Sequence, residues 1–102
     1  MLHMIVNTHA PESCAFRSEA NRDALLGGLT ALSEAATAAG ASLEGAWANR
    51  AAHTAFALIE APDAHTVDEI VGTAGLIGWT DSRVFAVATL EQVAESVRTS
   101  TS

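Results

Sequence analysis

The stretch LEGAWANRAAHTAFALIEA, Leu43 to Ala61, decides the fold. It divides at Arg50-Ala51-Ala52 into two apolar runs, LEGAWANR (Leu43–Arg50) and HTAFALIEA (His53–Ala61). Each run suits a pleated, half-buried surface. A parallel pair needs a crossover of about a dozen residues or more, so a connection this short joins two antiparallel neighbours. The centre of the chain is therefore a hairpin.

Working outward, Met4 to His9 reads as a strand stopped by Ala10-Pro11, with Met4, Val6 and Thr8 on one face and Ile5, Asn7 and His9 on the other. From Ser18 to about Ala39 the period changes: Leu25, Leu29, Leu32, Ala36 and Ala39 recur at helical spacing. Ser18 is the expected N-cap and Gly40 the expected C-terminal stop, while Gly27-Gly28 weakens the helix but permits close packing. Beyond the hairpin, Pro62-Asp63 opens a second helix with Val67, Ile70, Val71 and Ala74 as its apolar stripe and Gly75 as its stop. SRVFAVATL, Ser82 to Leu90, is a fourth strand; EQVAESV is read as a short terminal helix and RTSTS as a frayed tail.

The order is β-α-β-β-α-β, the α+β ferredoxin-like arrangement, in one domain over residues 1–97 with a tail over 98–102. Its four antiparallel strands take the spatial order 4-1-3-2 with both helices on one face. The bare face is expected to carry Trp47, Ala55, Ala57 and Ile59 or their alternates. So apolar a face calls for a partner, and a homodimer is expected.

Composition narrows the function. A chain of 102 residues, 49% hydrophobic, can bury one core. It has no lysine and no tyrosine, its net charge is −7, and its five arginines are scattered. That balance argues against nucleic acid and anionic membranes, which need a basic surface. The missing lysine also excludes Schiff-base chemistry and a P-loop. The N-terminal run is too short for a membrane span and lacks the basic start of a signal peptide. One cysteine cannot form an internal disulfide, so a cytoplasmic location is expected.

Topology then gives meaning to NTHAPESC, Asn7 to Cys14. Strands 1 and 3 are antiparallel neighbours, so His9 at the end of one meets His53 at the start of the other. Cys14 and Glu12 hang from the loop at that edge, and Asn49 and Arg50 reach it from strand 2. Imidazole, thiolate and carboxylate suit a divalent transition metal: nickel, zinc, copper or cobalt, rather than calcium or magnesium. The expected ligands are His9, Cys14 and His53, with Glu12 as a fourth ligand or a supporting carboxylate. An open coordination position would let bound water react.

Two other readings use the same edge. Cys14, with His9 or His53 as base, is a candidate catalytic thiolate for a small organic substrate held between sheet and helices near Trp47 and Asn7. An enzyme of oxygenase or isomerase type would follow, through metal or thiolate. The chain could also be a scaffold without chemistry. His3 and His65 are read as solvated, Asp68 and Glu69 as surface, and Trp47 and Trp79 as packing or pocket-lining residues.

The run Gly45 to Val67, with Ala46-Trp47-Ala48 leading to Glu60-Ala61-Pro62-Asp63-Ala64, resembles small actinobacterial ferredoxin-like proteins that include a nickel-binding, nickel-responsive member. The resemblance implies a dimeric α/β barrel, whose subunits pair through their open sheet faces, and a transition metal held by histidines. His9 is the ligand it carries over. APESC after that histidine, His53 at the start of strand 3 and a longer C-terminus depart from the pattern.

Overall fold

The computed structural model describes residues 1–75 and 80–100. Trp79, expected to pack or line a pocket, lies outside them. In chain order the elements are β1 (Leu2–Thr8), a 3-10 turn (Pro11–Ser13), α1 (Glu19–Ala38), β2 (Ser42–Asn49), β3 (Thr54–Glu60), α2 (Ala64–Thr73), β4 (Asp81–Val87) and α3 (Leu90–Ser100). The sheet order is β2-β3-β1-β4 and the three pairings are antiparallel. This is the expected ferredoxin-like α+β topology.

Local chemistry sets the helix ends. The Ser18 hydroxyl accepts from the Asn21 N–H at 3.3 Å and starts α1. Asp63 Oδ1 accepts from the Thr66 N–H at 2.8 Å and from its hydroxyl at 2.9 Å. These bonds to the charged form, backbone first, hold the Asp63 carboxyl below its ordinary range. Gly40 and Gly75 take left-handed φ of 74° and 78° just past α1 and α2, where a Cβ would be strained.

The core lies between the sheet and the two helices. Ile5, Ala57 and Ile59 meet Leu32 and Ala36 of α1 and Val67, Ile70 and Val71 of α2. Ile59 is fully buried. Cutting it back removes contacts that its neighbours cannot replace, so Ile59→Ala is expected to destabilise the domain by about 2–5 kcal/mol. Urea unfolding followed by circular dichroism measures this, and a loss below about 1 kcal/mol would mean that the core can collapse around the gap.

Two expectations are corrected here. Trp47 does lie on the bare face, but Ala55, Ala57 and Ile59 point toward the helices; Phe56 and Leu58 are their outward alternates. The cause is a bulge in β2. Leu43 pairs with Ile59 but Gly45 with Leu58, so Glu44 is an extra residue and the alternation flips there. The Trp47 ring folds back over Gly45, where a Cβ would come within 2.6 Å of it. His3, read as solvated, is buried, with Nδ1 3.2 Å from the Met1 carbonyl oxygen. The alternation that turns Ile5 inward turns His3 inward with it.

The terminal helix is longer than expected. Residues 98–100, assigned to a frayed tail, are helical; the Thr99 and Ser100 hydroxyls bond back to carbonyls of the preceding turn, and Arg98 pairs with Glu95 at 2.7 Å. No residue of α3 is buried, and Leu90, Val93 and Val97 form an exposed apolar stripe.

Candidate metal centre

Antiparallel register delivers both histidines to one edge. Thr8 pairs with Thr54, so the chain leaves β1 beside the entry to β3, and the His9 N–H donates to the His53 carbonyl at 3.2 Å. His53 has φ of 51°, a left-handed conformation uncommon for residues other than glycine. It closes the hairpin turn, with its N–H donating to the Arg50 carbonyl at 3.2 Å.

Cys14 comes from the 3-10 turn after β1. Its N–H donates to the Pro11 carbonyl at 3.2 Å, and its own carbonyl accepts from the Arg17 and Ser18 N–H groups at 2.8 and 3.0 Å. Two consecutive turns thus lock the cysteine backbone, and its side chain is buried as a free thiol. This turn explains why a cysteine five residues after His9 returns to the same edge.

The ligand atoms of His9, Cys14 and His53 all lie within 4.8 Å of one another. His53 Nδ1 and His9 Nε2 are 3.3 Å apart, with the rings edge to face at 78°. Two imidazole nitrogens bound to one tetrahedral ion at about 2.0–2.1 Å stand about 3.3 Å apart, and a nitrogen and a thiolate sulfur about 3.6 Å. The pair of nitrogens therefore has the separation a shared cation needs, and the same separation suits one shared proton. Burial first, then the neighbouring His53, lowers the His9 pKa, which keeps its ring neutral and its lone pair free of protons. The group could hold a metal ion.

The other expected residues separate. Glu12 is exposed on the 3-10 turn and falls outside this group. Arg50 is at the edge, its guanidinium 3.8 Å above the Phe16 ring. Phe16 is a neighbour that the sequence reading missed, although its place two residues past Cys14 pointed to it. His65 is exposed, as expected.

Next to the three residues is an open space of ≈ 320 Å³ lined by His9, Cys14, His53, Phe16 and Arg50. It shares Asn7, Leu25, Ala48 and Ala55 with a larger cleft of ≈ 450 Å³ between α1 and the sheet. Gly28, buried but without a side chain, lines that cleft together with Leu25 and Leu29. Leu32 and Ala36 are buried, whereas Leu25 and Leu29 are about half exposed.

Fold and site together define a small α+β protein of ferredoxin-like topology, with a His-Cys-His group close enough to hold a metal ion. The chain is similar to the protein in the crystal structure analysis of SCO4226 from Streptomyces coelicolor A3(2): 22% identity over 85% of this chain and 96% of that one, with a TM-score of 0.54. At that identity the likeness concerns the fold. No protein-family model matches the chain, and no curated protein matches it. Among the described residues no helix is long and apolar enough to cross a membrane.

Proposed function

We propose that this protein binds one divalent transition-metal ion per subunit through His9 Nε2, His53 Nδ1 and Cys14 Sγ. The observation that carries the reading is the mutual approach of the three ligand atoms, within 4.8 Å, from just past the end of β1, the turn that follows it, and the residue that leads into β3. Three ligands leave at least one coordination position for water or another molecule, and an ion held there would act as a Lewis acid toward it. Nickel, zinc, copper and cobalt all accept this donor set; the resemblance of the hairpin to a family that includes a nickel-binding member puts nickel first.

Two further assignments belong to this reading. A second copy covers the bare sheet face, on which Met4, Val6, Phe56, Leu58, Phe85 and Trp47 form a contiguous apolar surface. The protein works in the cytoplasm, where a lone thiolate ligand stays reduced.

The primary test is elemental analysis of protein purified without chelator, set against ligand variants. A second is acid release. Protons compete for the lone pairs of a metal site, so uptake is expected to fall as pH drops. The lowered pKa of His9 places its protonation below about pH 6.5, the ordinary imidazole value, so acid release extends below that point. For the metal-free protein the sign is the same: the unfolded chain binds the His9 proton more readily, so this group costs stability as pH falls through that window. Metal retention that does not change between pH 7.5 and about pH 5 would contradict histidine ligation.

A further inference from the structure

We infer that the cleft between α1 and the sheet binds a small organic molecule with an apolar tail and a single carboxylate head, the head lying against Asn7 and the metal site.

The walls specify the tail. Ala46, Ala48 and Ala55 form a floor of small side chains, and Leu25 and Leu29 overhang it while half exposed. A volume of ≈ 450 Å³ falls within the range of small-molecule pockets, about 300–1,000 Å³. Half-exposed leucines facing the exposed Ala46 and Ala48 across a gap leave apolar surface in water, and an apolar tail would remove it from water.

Asn7 specifies the head. It is nine-tenths buried, it lines both the cleft and the space beside His9 and Cys14, and among the described residues its amide makes no hydrogen bond. Its cross-strand partner Ser82 likewise has a buried hydroxyl without a partner among those residues. The Asn7 amide is not sealed off from solvent, so its N–H groups can donate to a ligand oxygen that enters from the cleft. Charge decides which oxygen. A divalent ion with one thiolate and two neutral imidazoles keeps a net positive charge, and Arg50 lines the same space, so the complementary head is an anion. The contact between the head and the ion rests on the metal reading; the tail and Asn7 contacts do not.

The test is calorimetric titration of the whole protein, metal-loaded and metal-free, with decanoate, acetate and decanol. Decanoate is expected to bind the loaded protein saturably, at least about tenfold more tightly than either of the others, since each comparison removes the tail or the charge. Ala48→Phe fills the cleft from an exposed strand position and should weaken decanoate about tenfold or more while metal content stays unchanged. Asn7→Leu should weaken it through the head, with folding checked by circular dichroism. A loaded protein that does not bind decanoate, or an Ala48→Phe variant that binds it as well as wild type, overturns the inference. Decanoate binding equal to that of decanol overturns the assignment of the head. If the wild-type protein carries no metal yet binds decanoate, and both variants weaken that binding, the cleft stands and only the metal reading falls.

Discussion

Purified without chelator, the wild-type protein is expected to carry about one transition-metal ion per subunit, and the His9→Ala/His53→Ala variant none. A four-ligand structural zinc site is worth about 10–16 kcal/mol in apparent binding free energy, hence about 2.5–4 kcal/mol per ligand by simple division. Removing two of three ligands should therefore weaken binding on the order of 10⁴-fold or more. Folding should survive the change, because both rings are only partly buried and neither belongs to the core. Position 53 needs one precaution. Its backbone is left-handed, so His53→Asn, which tolerates that conformation, serves as a second variant that removes the ring without adding strain. Thermal unfolding of the metal-free variants should stay close to that of the metal-free wild type, while the stabilisation of wild type by added metal disappears in the variants. Equal metal content in wild type and double variant, or metal in neither, ends the metal reading.

Much of this site could be read from the sequence because it follows from topology. The helical crossover through α1 makes β2 parallel to β1, the short connection at Arg50-Ala51-Ala52 turns β3 antiparallel to both, and His9 and His53 then meet at one edge. The caps Ser18 and Asp63 and the stops Gly40 and Gly75 were visible as well, since each acts through contacts a few residues away. What failed depended on geometry that no residue type announces. The bulge at Glu44 flips the faces of β2, so pattern alone grouped Trp47 with the wrong residues of β3. Glu12 looked like a ligand by proximity in sequence, but the 3-10 turn brings Cys14 into the group and leaves Glu12 exposed. His3 was legible in principle: two residues before Ile5 in a strand, it had to share the buried face. The cleft was not legible. Helical spacing shows that Leu25, Leu29 and Leu32 share a side of α1, but it cannot show that only Leu32 reaches the sheet.

The second large effect expected is on assembly: Leu58→Asp should convert a dimer into a monomer. Leu58 lies on the inner strand β3, between Gly45 of β2 and Met4 of β1, with Phe85 beyond Met4 on β4, all on the face that carries no helix. Phe85 and Trp47 are about half exposed there. A second copy across this face would bury the row twice over, and symmetry places both introduced aspartates in one dry interface. An uncompensated buried charge costs about 3–5 kcal/mol, so the dissociation constant should rise by about 10²-fold to 10³-fold or more. The folded subunit should tolerate the change, because Leu58 faces away from the core and the carboxylate stays in water once the copies separate. Analytical ultracentrifugation across a range of concentrations, with circular dichroism on the same samples, reads both effects. Wild-type protein that remains monomeric throughout removes the dimer. A wild-type dimer that Leu58→Asp leaves intact, but that Val93→Asp on the exposed stripe of α3 breaks, would move the interface from the sheet to the terminal helix. The sheet is the stronger expectation because its apolar residues are contiguous across four strands, whereas α3 offers a single stripe, and contiguous apolar area is what drives association.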